Sequence, residues 1–188
     1  AHDLKRNRLS PRKSSQQVSR SPTSRDLTGQ MIFLGTGTSV GVPAIGCDCK
    51  VCLSDDPRNH RTRCAVVFGL PQGNLLIDTP PDLRQQLLRE QIGLVHAVPL
   101  YCEPNVEARI RKSYDYAFGD ADMLHPGAVP KLELRELGLD PFKVLGATVI
   151  PLRLKHGPHC QVLGFRIGDV AYCTDTNAIP TASMDLLR

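Results

Sequence analysis

The sequence lacks long apolar runs: nowhere do about eighteen apolar residues follow one another, so it predicts no membrane-spanning helix. The N-terminus is polar throughout and gives no sign of the apolar stretch of a secretory signal peptide. An internal repeat and a heptad pattern are also missing, which argues against a solenoid or a coiled coil. With 188 residues and 41% apolar composition, the chain is expected to form one domain with appendages.

Cysteine is the most informative residue type. There are seven, an odd number, without a secretory signal, so we expect a reducing compartment, the cytoplasm, and thiol or metal roles instead of disulfides. Cys47, Cys49 and Cys52 form a C-x-C-x-x-C segment, a spacing that indicates a zinc site. His60, Cys64 or a residue elsewhere in the fold would be the fourth ligand; the alternative is three ordinary thiols in a loop. Three further cysteines are predicted to be small core residues: Cys102, Cys160 and Cys173.

Positive charge is concentrated in residues 1–30, where seven Lys or Arg against two Asp give a local charge of +5. Because the whole chain carries +4, residues 31–188 carry −1. The leader is Ser-rich and free of aromatic residues, so it cannot bury enough apolar surface to fold alone. We therefore divide the chain into a basic tail, residues 1–30, and one folded domain, residues 31–188. A solvated tail is favoured over a nucleic-acid-binding arm.

Short strands dominate the pattern. Strands are predicted over 31–34, 64–69 and 74–78, with a turn between the last two. Near the end of the chain, 161–167 and 170–174 are joined by Gly168-Asp169, a strong hairpin signal. Together with the intervening helices, these strands predict an α/β chain of mixed sheets covered by helices.

Two helices are predicted. The first has Thr79 as its cap, and its buried face consists of Leu83, Leu87 and Leu88. The second runs from Pro104 to about Arg111. An apolar run over 94–101 lies between them, and His96 within it is interpreted as a core imidazole.

The glycine loop Gly35-x-Gly37-x-x-x-Gly41 is one residue off the dinucleotide-binding fingerprint. Pro43 and the cysteines follow it where that fingerprint requires a helix, so we reject a dinucleotide site. The glycines are expected to permit a tight connection near a site.

His156 and Asp175 are the strongest catalytic candidates, because each follows a predicted strand end, where active-site groups collect. Imidazole and carboxylate are preferred ligands of zinc and manganese, and a carboxylate can bridge two ions. Taken alone, a histidine beside a glycine is more often unremarkable. Asp78, also at a strand end, is a metal ligand, a general base or an acceptor for loop amides beside Thr79; we favour the acceptor.

Three segments in this order, Met31–Pro43, Cys47–Cys52 and Asn74–Pro80, resemble the metallo-β-lactamase superfamily. The branch they resemble is that of phosphoribosyl cyclic phosphate phosphodiesterase, the carbon–phosphorus lyase accessory protein. Lys155-His156-Gly157 and Tyr172–Thr176 match later signature segments of the same branch. The resemblance covers about residues 31–188.

The resemblance implies a four-layer αββα sandwich with a two-metal cleft at one edge. His156 would bind one divalent ion, zinc or manganese, Asp175 would bridge both ions, and Asp78 would support the ligand loop. The cysteine cluster would hold a separate structural zinc, completed by a histidine late in the chain. The implied activity is hydrolysis of a small cyclic phosphate by a metal-activated water.

One signature is missing. The superfamily's main ligand motif, H-x-H-x-D-H, is expected where Leu94–Val98 runs directly into Pro99, and the last histidine ligand would lie beyond Arg188. Parallel strands need a crossover of about a dozen residues, which is absent between Val98 and Pro99. We therefore expect the natural protein to carry an internal segment and a C-terminal part that this sequence omits; the alternative is a metal-deficient relative.

Two rival functions stay open. One is another branch of the superfamily: the tRNA 3′-end endonuclease shares the glycine loop, and the pyrroloquinoline-quinone biosynthesis B protein has a similar cysteine cluster. The other is a non-catalytic zinc-binding scaffold. For the favoured interpretation, the expected partner is a small phosphodiester substrate, without a membrane or nucleic acid, and a homodimer is left open.

The protein isolated from its natural source is therefore expected to have an intact mass several kilodaltons above the 20.6 kDa of this sequence. Mass spectrometry measures this directly. A native mass equal to that of the sequence would mean that the histidine motif is truly absent, and would favour the scaffold.

Overall fold

The computed structural model describes residues 25–93, 97–115, 118 and 131–187. Twelve regular elements follow one another along these residues, besides a one-turn 3-10 helix at Pro57–Asn59. In chain order they are β1 Met31–Gly35, β2 Ala65–Leu70, β3 Gly73–Ile77, α1 Leu83–Glu90, β4 Ala97–Cys102, α2 Pro104–Ser113, β5 Lys131–Glu136, β6 Phe142–Val144, β7 Ala147–His156, β8 Cys160–Ile167, β9 Val170–Tyr172 and α3 Thr181–Asp185.

Two antiparallel sheets form the centre of the domain. The first has the order β1-β2-β3 and the second the order β6-β7-β8-β9. The strands predicted over 31–34, 64–69, 74–78 and 161–167 are confirmed within a residue or so, and the predicted hairpin turns at Gly168, whose φ is +57°. β6 and β7 are separate strands, because Leu145 and Gly146 turn the chain between them with positive φ values.

The two sheets pack face to face through one apolar cluster. Val66, Phe68 and Ile77 of the first sheet meet Val149 and Ile167 of the second. The opposite face of the first sheet is covered by α1, in a second apolar cluster that consists of Leu27, Leu34, Ala65, Val67, Leu87 and Ile92. α3 packs against β7 of the second sheet. Two sheets packed face to face, each with a helix against it, confirm the predicted sandwich.

A parallel pair, β4 and β5, stands apart from the two main sheets. β4 continues without a break across Val98 and Pro99, which align with Leu132 and Glu133 of β5. Proline is tolerated there because each strand of a two-stranded sheet has a free edge. The helix predicted from Pro104 is confirmed as α2, whereas β5 and α3 were not predicted. The prediction for His96 lies outside the described residues.

The start of α1 corrects the predicted cap. The helix begins at Leu83, and Thr79 lies outside it. Asp82 occupies the capping position but makes no side-chain cap hydrogen bond. Its carboxylate instead accepts hydrogen bonds from the backbone N–H of Arg63 at 2.9 Å and from Arg63 Nη1 at 2.9 Å. A charged partner from another segment has displaced the local capping interaction.

Gln86 ties α1 to the segment before β2. The side chain is 1% exposed, and its Nε2 donates to Thr62 Oγ1 at 3.0 Å and to the carbonyl of Arg63 at 2.8 Å. Leu87 is buried beside it, but Leu88 is 62% exposed, so the predicted buried face was wrong at Leu88. The two hydrogen bonds of the buried Gln86 side chain, as well as apolar packing, therefore hold α1 against the first sheet.

The packed region begins before Met31. Leu27 is 1% exposed, and Gly29 N–H donates to the carbonyl of Gly69 at 2.8 Å. Residues 1–24 lie outside the described part of the chain. Among the described residues, the structure contains no helix with the length and apolarity needed to cross a membrane.

Adjacent glutamines on α1 provide a matched test of the buried contact. Gln86→Ala is expected to lower the free energy of unfolding by about 1–3 kcal/mol, because two partly buried acceptors lose the donor that the buried Gln86 supplies. Gln85→Ala, on an exposed position of the same helix, is expected to change it by less than about 0.5 kcal/mol. Urea unfolding of both variants measures the difference, and equal losses would contradict the assigned role of Gln86.

Candidate functional site

The glycine loop after β1 lies against the segment before β2. A Cβ atom at Gly35 would overlap the carbonyl oxygen of Arg63, and one at Gly37 would come within 2.5 Å of the carbonyl oxygen of Arg61. Gly37 N–H also donates to the carbonyl of Thr62 at 2.7 Å. The next regular element after the loop is the one-turn 3-10 helix at Pro57–Asn59, and the close contacts of Gly35 and Gly37 confirm the predicted tight connection.

Asp78 follows β3 directly and is contacted from the other sheet. Its Oδ2 accepts a hydrogen bond from the hydroxyl of Tyr172, at the end of β9, at 3.0 Å. The predicted donors were loop amides beside Thr79, whereas the side-chain donor in the structure is the Tyr172 hydroxyl, so the assigned partner was wrong. Tyr172 begins the signature segment Tyr172–Thr176 but was assigned no role from the sequence. The available signal was an aromatic residue three positions before Asp175, near the end of a predicted strand.

The loop that carries Asp175 is hydrogen-bonded to the end of β7. Lys155 N–H donates to the carbonyl of Ala178 at 3.0 Å, and the carbonyl of Lys155 accepts from Asn177 N–H and from Thr176 Oγ1, each at 3.0 Å. His156, the last residue of β7, is exposed next to this attachment, and Asp175 is also exposed. The chain positions of His156 and Asp175 are therefore brought to one edge of the sandwich.

Electrostatics link Asp78 with the same edge. Burial raises the pKa of the Asp78 carboxyl, the hydrogen bond from Tyr172 opposes this rise, and the negative charge of Asp175 adds to it. Burial, followed by the charge of Asp78, raises the pKa of the Tyr172 hydroxyl. Tyr172 therefore stays a hydrogen-bond donor at neutral pH. A positive charge placed between Asp78 and Asp175 would relieve their repulsion.

The donor types at this edge, one imidazole and two carboxylates, suit zinc or manganese. They form only part of a ligand set, however. In the described ranges, the one group of three or more His, Cys, Asp or Glu side chains with donor atoms within 4.8 Å of one another is Cys47, Cys49 and Cys52. This edge thus contributes donors for a metal without forming a complete site by itself.

The cysteine cluster is formed locally. The Sγ atoms of Cys47, Cys49 and Cys52 all lie within 4.8 Å of one another, at the surface of the loop between β1 and β2. Ala44 N–H donates to Cys52 Sγ at 3.4 Å, and Cys47 N–H donates to the carbonyl of Ala44 at 3.1 Å. This spacing of three soft donors fits a single thiolate-ligated ion, so the predicted grouping of the thiols is confirmed.

The backbone of the loop favours a thiolate at Cys49. The Cys52 N–H, together with the neighbouring thiol of Cys47, lowers the pKa of Cys49 to about 7. A thiolate is the form that binds metals. Neither His60, which is exposed, nor Cys64, whose Sγ donates to the carbonyl of Gly37 at 3.1 Å, belongs to the cluster.

The other cysteines divide between core and surface. Cys102 is buried, as predicted, and Cys173 is half-buried. Cys160 is exposed, so its predicted core position was wrong. The reason is its register: Cys160 is the first residue of β8 and pairs with His156 at the exposed end of the hairpin.

The protein consists of two antiparallel sheets packed face to face, with helices against them and polar strand ends at one edge. This architecture is that of an αββα sandwich, a fold class that includes metallohydrolases. Residues 86–188, more than half of the chain, match the model described as "Beta-lactamase superfamily domain". A solved structure, described as a new diphosphatase from the PhnP family, is 33% identical with a TM-score of 0.73, and the match covers 84% of this chain and 69% of that one. The chain belongs to the metallo-β-lactamase superfamily, in the branch that includes PhnP.

Two further proteins match. Zinc-bound PqqB from Methylobacterium extorquens is 18% identical with a TM-score of 0.57, covering 75% of this chain and 60% of that one, which supports the fold alone. A curated protein of Porphyromonas gingivalis (strain ATCC BAA-308 / W83), named octanoyltransferase, is 36% identical over 184 residues. That alignment covers 84% of this chain, but the chain spans only 37% of the length of that relative.

Cobalt binding tests the cysteine cluster. Adding Co²⁺ to the metal-free protein is expected to produce an intense thiolate-to-metal absorption band, because soft sulfur donors are already grouped. Cys49→Ser is expected to abolish the band, whereas Cys160→Ser, at another exposed cysteine, should leave it unchanged. A band that survives Cys49→Ser would exclude this cluster as the thiolate site.

Proposed function

We propose that this protein is a metal-dependent phosphodiesterase acting on a small cyclic phosphate. The observation that carries the proposal is the meeting of Asp78 and the loop of Asp175 at one edge of a metallo-β-lactamase sandwich, beside His156. Superfamily membership supports a metal-dependent hydrolase in general. The PhnP-family diphosphatase supports phosphate chemistry in particular, since its name describes cleavage of a phosphate-containing substrate.

The proposed roles follow from chemistry and position. His156 would hold one divalent ion, zinc or manganese, through its imidazole, and Asp175 would bridge two ions through its carboxylate. Asp78 would brace the ligand loop through its own hydrogen bond. The remaining ligands would come from residues outside those described. Such a metal pair would lower the pKa of a water to about 7 and offset the negative charge of the phosphate.

The acidic residues around the proposed cleft would allow an anionic substrate to bind only when a metal ion is present. Asp78 and Asp175 are both negative when ionised, so an unaccompanied phosphate would be repelled. Hydrolysis therefore depends on added divalent cation. This dependence separates the proposed enzyme from a scaffold whose only ion is held by the thiols.

The cysteine cluster supports a structural ion separate from catalysis. Three thiols closed by a fourth donor would leave no open position for substrate, which is the usual condition of a structural zinc. We also propose that the protein works in the cytoplasm, because seven cysteines, all free in the structure, are compatible with a reducing compartment. The name of the octanoyltransferase relative carries no weight for activity, because the match covers 37% of that protein.

Paired variants test the cleft. With Mn²⁺ present, the natural protein is expected to hydrolyse bis-p-nitrophenyl phosphate and a cyclic ribose phosphate, and a chelator should abolish both activities. His156→Ala and Asp175→Asn are expected to lower kcat at least about 100-fold, since each removes a ligand. The matched controls His159→Ala, in the turn after His156, and Asp169→Asn, in the turn between β8 and β9, should retain activity.

The same assay separates the rival functions. Cleavage of precursor tRNA without turnover of small phosphodiesters would favour the endonuclease branch. Metal binding that depends only on the cysteines, without any hydrolysis, would favour the zinc-binding scaffold. Full activity in His156→Ala or Asp175→Asn would contradict the proposed site.

A further inference from the structure

We propose that Tyr172 is a positioning residue of the cleft: its hydroxyl fixes the Asp78 carboxylate and joins the end of β3 to the strand that leads into Asp175. This inference rests on the proposed function. It concerns a residue that binds no metal itself and acts through its neighbour.

The position of Tyr172 gives it little freedom. The side chain is 8% exposed and packs in the apolar cluster between the two sheets, together with Val66 and Ile77. Its ring centroid lies 6.5 Å from that of Phe33, at an interplanar angle of 51°. Packing of the ring inside the core fixes where the hydroxyl emerges, so the direction of the hydrogen bond to Asp78 is determined by the sandwich itself.

Asp78 is the group that needs such fixing. It follows β3 with φ of +69°, in the left-handed region that is unfavourable for most residues. Asp175 has φ of +50°, so both acids lie on strained turns. Their side chains repel one another when ionised, and a donor on one of them keeps that carboxylate in place. The 3.0 Å bond from Tyr172 supplies this donor across the two sheets.

The same bond couples the two strand ends. Asp78 immediately follows the first sheet, whereas Tyr172 ends β9 three positions before Asp175. A shift of one sheet along the other would stretch the bond between them. The hydrogen bond therefore holds the positions of Asp78 and Asp175 fixed relative to each other. Metal donors that come from different sheets must be held in this way if they are to contact the same ions.

Substitution by phenylalanine isolates the hydroxyl, because Tyr172→Phe keeps the ring in the core. Asp78→Gly removes the acceptor, and glycine tolerates the positive φ at that position. Mn²⁺ is the probe, since carboxylate and imidazole donors suit it better than thiolates do. Binding is followed in the full-length protein by the electron paramagnetic resonance signal of free Mn²⁺, and kcat and KM are measured in parallel.

Tyr172→Phe is expected to weaken Mn²⁺ binding about tenfold and to lower kcat with little change in KM, as for other residues that orient metal ligands. The double variant should bind Mn²⁺ no more weakly than Asp78→Gly alone, because the hydroxyl then has nothing left to orient. Tyr101→Phe, which removes the hydroxyl of a ring stacked on Phe142 at 5.3 Å, should behave as the parent protein.

The outcomes separate the two proposals. If the parent protein binds no Mn²⁺ apart from the cysteines, the proposed function fails, and the positioning role fails with it. If the parent binds Mn²⁺ and hydrolyses phosphodiesters but Tyr172→Phe matches it, only the positioning role is overturned. Strictly additive effects of Tyr172→Phe and Asp78→Gly on Mn²⁺ affinity would also overturn it, because they would show a packing effect that does not pass through Asp78.

Discussion

The burial of β2 on both faces is the constraint on which the rest of the structure depends. All six residues from Ala65 to Leu70 are buried: Val66 and Phe68 face the second sheet, whereas Ala65 and Val67 face α1. A strand that is covered on both sides fixes the spacing of the layers. The side chains on each of its faces must be close-packed against the layer that covers that face. The glycine loop, the end of β3 and the first residues of α1 are all positioned by contacts with this strand or the segment before it.

Sequence reasoning succeeded where structure is determined by near neighbours. The hairpin at Gly168 and the grouping of Cys47, Cys49 and Cys52 both depend on residues a few positions apart. It failed where a distant partner intervened. Thr79 was predicted as the helix cap, but α1 begins at Leu83, and Arg63 from another segment binds the carboxylate of Asp82 at the capping position. β5 is rich in Leu, Glu and Arg, which favour helices, and its pairing with β4 overrides that preference.

The candidate site divides in the same way. The cysteine cluster could be predicted from spacing alone, because the loop that holds it is closed by its own hydrogen bonds, such as that of Cys47 N–H to Ala44. The cleft could be predicted only through family resemblance, since its residues come from strand ends that are far apart in the chain. The partner of Asp78 could not be predicted from the residues around position 78, because Tyr172 lies 94 positions away; the signal lay beside Asp175 instead.

That separation has a consequence for biosynthesis. Translation proceeds from the N-terminus, so β1 to β3 are complete while β7 to β9 have not yet left the ribosome. The nascent first sheet then exposes the apolar face that includes Val66, Phe68 and Ile77, and Asp78 has no donor. Short hairpins close early, whereas contacts between distant segments form late. The site around Asp78 and Asp175 therefore forms only after β9 has been synthesised, and until then the emerging first sheet is the form most exposed to aggregation and to chaperones.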